Sequence, residues 1–307
     1  MFFITLGNLI SLFICIFIGV ICRKKHITDD SVISGLSKIL TSVTVPALII
    51  VSMQKPFEVE LIKDSLFIIV SMTLINLAGA LIGLASAKLF KVDSKDAGVW
   101  VSGCTFSNIV YMGFPVISSL YGSESLFLAT FCAVVFNFLV YTLGIKLIKI
   151  GSGSENDGKA HNFLLNPPVI SILVGFSFFL LSVKVPTPVF NALTSIGNMT
   201  TPISMIIIGS ILAKGDLKTV LRGKKLYVLC FIRLILVPVI TFFTVSIFTS
   251  NSTIIGILVL ASGMPAAALT VILAERHNAN YAFASKFVFV STLLSILTIP
   301  LISILLQ

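Results

Sequence analysis

Two Gly-x-Pro triplets, Gly113-Phe114-Pro115 and Gly263-Met264-Pro265, stand inside apolar stretches. Such a triplet can break a membrane-spanning helix. Glycine can end one half in the left-handed conformation, and the proline two residues later can open the next half as its first residue. The proline ring also stops the helical ladder from running through. Unpaired backbone groups in lipid cost several kcal/mol each, so a break persists only inside protein or beside a polar cavity. Half-helices opening near Pro115 and Pro265 would aim their positive dipole ends at mid-membrane, which favours an anion.

The polar residues around these triplets are the candidate contacts. Asn108 lies five residues before Gly113 and can both donate and accept, either to a substrate or to a neighbouring helix. Tyr111 and Met112 flank the first break and Met264 sits inside the second. Asn137 and Tyr141, four residues apart, would share one helix face, and a polar pair on an apolar helix should point inward. Arg233 and Lys286 place charges within apolar stretches, which makes both candidates for gating or anion contact. Arg233 has a structural alternative, a pairing with backbone carbonyls, and Lys286 could reach water along its stem.

Other chemistries are missing. The five cysteines (Cys15, Cys22, Cys104, Cys132, Cys230) form no CxxC pair, and the three histidines are far apart, so no metal site is expected. No nucleophile–base constellation at matched depth marks a catalytic residue, and no cofactor is expected. No Asp or Glu lies at either break, so no proton relay is evident.

The elements that must position these residues follow from composition. The chain has 307 residues, 57% apolar and 11% charged, with a mean hydropathy of +1.10. A soluble domain carries about a quarter charged residues. This balance excludes a soluble enzyme, a disordered chain and a nucleic-acid module, and predicts an all-α polytopic membrane protein in a lipid bilayer. Apolar segments recur at 2–22, 33–53, 61–89, 97–121, 125–150, 163–183, 189–213, 226–248, 253–274 and 281–306, which predicts ten spans. No basic residue precedes the first stretch, unlike a secretory signal.

Charge placement checks that count. Odd-numbered connections hold Arg23, Lys24, Lys25, Lys88, Lys91, Lys95, Lys146, Lys149, Lys159, Lys214, Lys218, Arg222, Lys224, Lys225 and Arg276. Even-numbered ones hold only Lys55, Lys63 and Lys184. Cytoplasmic loops collect Lys and Arg. Both termini are therefore expected outside a cell membrane, and the net charge of +9 belongs to the loops, with no nucleic-acid partner.

The chain divides into halves, 1–150 and 163–307, around a polar cytoplasmic linker at 151–162. Pro46 and Pro202 interrupt the second and seventh spans, as the Gly-x-Pro triplets interrupt the fourth and ninth. Five spans per half is an odd number, so the second half would enter inverted. An inverted repeat with interrupted helices at matching positions points to a secondary transporter.

The run Asn108-Ile-Val-Tyr-Met-Gly113-Phe-Pro115, ending in Leu120-Tyr-Gly122, resembles the fourth-span motif of the auxin efflux carrier family. Asn166-Pro-Pro168, Arg233 to Pro238, Gly263-Met-Pro265 and Ser291 to Pro300 are similar to later motifs of that family, and the resemblance covers essentially the whole chain. It implies ten helices in two inverted five-helix repeats, as in bile-acid symporters and sodium/proton antiporters. Helices 4 and 9 would cross at their breaks, and substrate would bind there. Helices 1, 2, 6 and 7 would form a scaffold beside a moving transport domain, often within a homodimer. The substrates implied are small organic anions, mono- or dicarboxylates or auxin-like acids, carried by alternating access. The alternative expectation is a sodium- or proton-coupled carrier of the same fold with a neutral or sterol-like substrate.

Overall fold

A computed structural model describes residues 2–152, 166–214 and 223–306, and every regular element in it is a helix. The first half holds α1 (Phe2–Lys24), α2 (Asp30–Ile39), α3 (Val45–Ser52), α4 (Val59–Leu89), α5 (Ser94–Thr105), α6 (Phe114–Tyr121), α7 (Leu126–Leu139) and α8 (Ile145–Ile148). The second holds α9 (Pro167–Leu180), α10 (Thr187–Asn198), α11 (Thr200–Lys214), α12 (Lys224–Phe231), α13 (Val237–Phe248), α14 (Ser252–Gly263), α15 (Leu269–Arg276) and α16 (Tyr281–Leu305). Among the described residues six continuous helices are long and apolar enough to cross a membrane. They are Asp30–Ser52, Val59–Leu89, Ser123–Ile148, Thr187–Ala213, Lys224–Phe248 and Tyr281–Leu305. Most of the expected linker, and with it Lys159, Lys218 and Arg222, lies outside the described residues.

Three prolines shape these helices in the same way. Wide π-turns at Leu40–Thr44, Ile109–Gly113 and Ile232–Leu236 each precede a proline, at Pro46, Pro115 and Pro238. A helical proline lacks the N–H that would bond the carbonyl four residues back, and its ring collides with that carbonyl. Widening the preceding turn relieves both problems while the rod continues through lipid. A fourth π-turn, Val140–Gly144, joins α7 to α8 without a proline.

The chain folds into two compact units that interleave the halves. The first comprises Met1–Ile68, Val110–Val134 and Asn162–Lys214; the second comprises Ile69–Ile109, Val135–His161 and Gly215–Gln307. Within the first unit α1 lies against α11 with backbone close to backbone. A Cβ at Gly19 would overlap the Ile206 carbonyl, and one at Gly209 would overlap the Ile16 carbonyl. Ser210 Oγ donates to the Gly19 carbonyl at 3.1 Å, and its oxygen lies 3.0 Å from Thr28 Oγ1. Small residues that let backbones approach are how helices associate where lipid removes the hydrophobic drive. A ring cluster of Phe57, Phe127, Phe131, Phe176 and Phe179 fills one region of this unit.

Within the second unit, Gly79 and Gly83 bring α4 against α5. Their Cβ atoms would stand 2.7 Å from the Cys104 carbonyl oxygen and 2.9 Å from the Val101 Cα. Trp100 is fully buried and donates from Nε1 to Ser86 Oγ at 2.9 Å. Asn280 caps α16 and donates from Nδ2 to Asp96 Oδ1 at 2.6 Å, which ties the start of α16 to the start of α5.

Candidate functional site

Both triplet regions contain real breaks, but not of the form their residue types suggest. Helix α5 ends at Thr105, and Phe106, Ser107 and Asn108 are non-helical before winding resumes at Ile109. Helix α14 ends at Gly263, and the chain stays open through Ala268 before α15. Neither Gly113 nor Gly263 is left-handed: Gly113 has φ −64°, and the described positive-φ glycines are Gly122, Gly151 and Gly223. The half-helices also do not open at Pro115 and Pro265. Pro115 sits inside continuous winding after a π-turn, and Pro265 lies within the open segment. The glycine at 263 answers to packing instead, since a Cβ there would meet Ile302 Cδ1 at 2.9 Å and Pro238 Cβ at 3.3 Å.

The two open segments meet inside the second unit. Ser107 and Ala266 form an antiparallel bridge, and the Asn108 amide donates to the Pro265 carbonyl at 2.8 Å. Ser107 Oγ donates to the Ala261 carbonyl at 2.7 Å, one of the carbonyls that the end of α14 leaves without a helical partner. The Ala266 amide donates to Ser291 Oγ at 3.2 Å, while that hydroxyl donates to Val288 within α16. Each break therefore supplies hydrogen bonds that the other lacks.

Arg233 completes the crossing. Its guanidinium, only 1% exposed, donates from Nε to Met264 at 3.1 Å and from Nη1 to Cys104 at 3.1 Å and Thr105 at 3.4 Å. Nη2 donates to the Ser262 carbonyl at 2.6 Å. One side chain thus caps the C-terminal ends of α5 and α14, where unpaired carbonyls and the negative ends of two helix dipoles converge. The π-turn Ile232–Leu236 carries it, so the wound region that accommodates Pro238 also presents the arginine. The structural alternative read from the sequence, pairing with carbonyls, is the arrangement found.

The remaining candidates divide between the units. Asn108 is nine-tenths buried and Asn137 is 5% exposed; both belong to the second unit with Arg233, Gly263, Met264 and Pro265. Tyr111, Met112, Gly113 and Pro115 belong to the first, with Met112 and Pro115 buried and Tyr111 half-buried. Asn137 and Tyr141 lie either side of the change from α to π winding at Val140, so simple four-residue spacing does not describe their faces. Lys286 is exposed on α16.

Sequence reasoning passed over Ser107, Ser262, Ser291 and Ser102. The Ser102 hydroxyl, one turn before the end of α5, is buried with no hydrogen-bond partner. Serine in an apolar helix usually bonds its own backbone. The one available hint was the adjacent polar pair Ser107-Asn108 beside a break.

The chain matches the sequence profile of the membrane transport protein family over residues 4–162 and 159–303. It belongs to this family, that of the auxin efflux carriers. An uncharacterized transporter of Methanothermobacter thermautotrophicus is 24% identical over 301 residues, spanning 97% of both chains. A second, from Methanocaldococcus jannaschii, is 24% identical over 295 residues and 94% of both chains. The uncharacterized transporter YfdV of Escherichia coli is 23% identical over 309 residues and 96% of both chains. Family membership agrees with the apolar helices in describing a multi-pass membrane transporter.

Proposed function

We propose that this auxin efflux carrier family member moves small organic anions, mono- or dicarboxylates, by alternating access at the crossing of its broken helices. The observation that carries the reading is the antiparallel contact of Ser107-Asn108 with Pro265-Ala266, held by Arg233. Such a crossing keeps irregular backbone at membrane depth, a state tolerated only within protein or beside a water-filled cavity. Carriers use interrupted helices of this kind to bind substrate near mid-membrane.

In this reading the chain has ten spans as two inverted five-span repeats, 1–150 and 163–307 around the linker, in the cell membrane with both termini outside. The pairing of a break from each half supports the repeat. Of the residues singled out in the sequence, Asn108, Asn137 and Tyr141 of the second unit would line the site, and Gly263, Met264 and Pro265 would shape it. Arg233 acts on the backbone, and Lys286 would serve in gating or anion contact. A second copy of the chain is the expected partner. Membrane potential acting on an anion supplies about 2.3 kcal/mol per charge per 100 mV, so no carboxylate at the breaks is required.

The test is uptake of radiolabelled malonate and indole-3-acetate into proteoliposomes, with and without an imposed potential. Saturable flux that follows the potential without a proton or sodium gradient is expected. Sodium-dependent flux, or normal flux in both Pro115→Ala and Pro265→Ala, would overturn the reading.

A further inference from the structure

Arg233 is the only Lys, Arg, Asp or Glu side chain among the buried residues described. The partners of its guanidinium are four neutral carbonyls, those of Cys104, Thr105, Ser262 and Met264. The ion pairs among the described residues are Arg23–Asp30, Lys55–Glu124 and Lys225–Asp93, and none involves Arg233. A guanidinium does not deprotonate in proteins. Carbonyl dipoles solvate such a charge without cancelling it, so the crossing holds a permanent positive charge that no carboxylate among the described residues pairs with. An intramembrane charge with no counter-ion costs free energy and is a functional candidate by default.

We propose that Arg233 is the carrier's own voltage-sensing charge. The inference rests on the alternating-access reading above. When the empty carrier changes its facing, the arginine crosses part of the transmembrane field and moves positive charge. When a monovalent anion is bound, the two charges offset each other and that step becomes electrically silent. An interior-negative potential would then draw the empty carrier to its inward-facing state, ready for the next anion, and export would reset at the expense of the potential. A unit charge crossing the whole of a 100 mV field biases an equilibrium about 50-fold, and a partial crossing biases it proportionately less.

Voltage steps on planar bilayers containing the full chain, with no organic acid present, test this directly. Wild type should give saturable transient charge movements that indole-3-acetate, a monovalent anion, suppresses at saturating concentration. Arg233→Gln, shown to be folded by gel filtration and Trp100 emission, should give none. Arg233→Lys should keep the transients at neutral pH and lose them as the pH is raised, because a buried lysine can give up its proton and wild-type arginine cannot. The lysine variant decides the question alone if the glutamine variant does not fold. Absence of transients in wild type, persistence in Arg233→Gln, or pH-independent transients in Arg233→Lys would each overturn the proposal. The readout needs no flux, so failure to transport any acid would count against the proposed function while the transients still judge Arg233.

Discussion

The Ser107 hydroxyl donates to the Ala261 carbonyl across 2.7 Å, although 154 residues separate them in the chain. It gives a partner to a carbonyl that the end of α14 strands. Ser107→Ala removes the donor and leaves that carbonyl buried and unpaired, which costs about 1–3 kcal/mol. The expected result is a lower thermal midpoint in detergent and reduced organic-acid flux. An unchanged midpoint would mean that another group satisfies Ala261.

The α1–α11 contact is predicted to tolerate no added carbon. Gly19→Ala or Gly209→Ala drives a Cβ into a backbone carbonyl, with overpacking expected to cost about 1–3 kcal/mol. Gly35, in the exposed helix α2, has nothing within 4 Å of a built Cβ. Gly35→Ala should therefore stabilise by up to about 1 kcal/mol through helix propensity. Thermal unfolding of the three variants side by side checks both signs.

Trp100 is the sole tryptophan and reports on the second unit alone. Its burial predicts blue-shifted emission that acrylamide barely quenches. Ser86→Ala removes the acceptor of its indole N–H, at a cost of about 1 kcal/mol. The emission should shift and stability fall together. Strong quenching in the wild type would contradict the packing of α4 on α5.

His277 caps α15 and is 4% exposed. Loss of solvation, then the charges of Lys149 and Arg276, hold its imidazole below the ordinary value. The unfolded chain, with a histidine near pH 6.5, binds the proton first on acidification. Stability from this residue is thus complete above about pH 6.5 and declines as pH falls towards the folded value. His277→Gln should flatten that part of the stability–pH curve. An identical slope in wild type and variant would show that His277 is protonated freely in the fold.

Much of the helical layout was legible from hydropathy. The stretch predicted at 61–89 is α4 at Val59–Leu89, and the one at 226–248 is the helix Lys224–Phe248. The second break was legible as well, because Gly263 and Pro265 interrupt an apolar run there, whereas the first lies at residues 106–108, ahead of the Gly113-Phe-Pro115 that pointed to it. The conformation of the breaks was not legible. Gly-x-Pro suggested a left-handed stop, yet Gly113 winds through a π-turn and Gly263 is glycine to fit Pro238 and Ile302. Which of several roles a glycine serves depends on what stands opposite its missing Cβ.

Local chemistry written into the chain thus determined that it would fold as apolar helices, that Pro46 and Pro115 would disturb their winding, and that Arg233 would need a partner within the bilayer. Only the tertiary structure decided what those partners are. Asn108 bonds to Pro265, Ser107 to Ala261, and Arg233 to four carbonyls drawn from two helix ends. The physical reason is that hydropathy and backbone preference act over a few residues and leave their trace in the sequence. A stranded carbonyl in a medium without water must instead find a donor wherever the packed chain brings one.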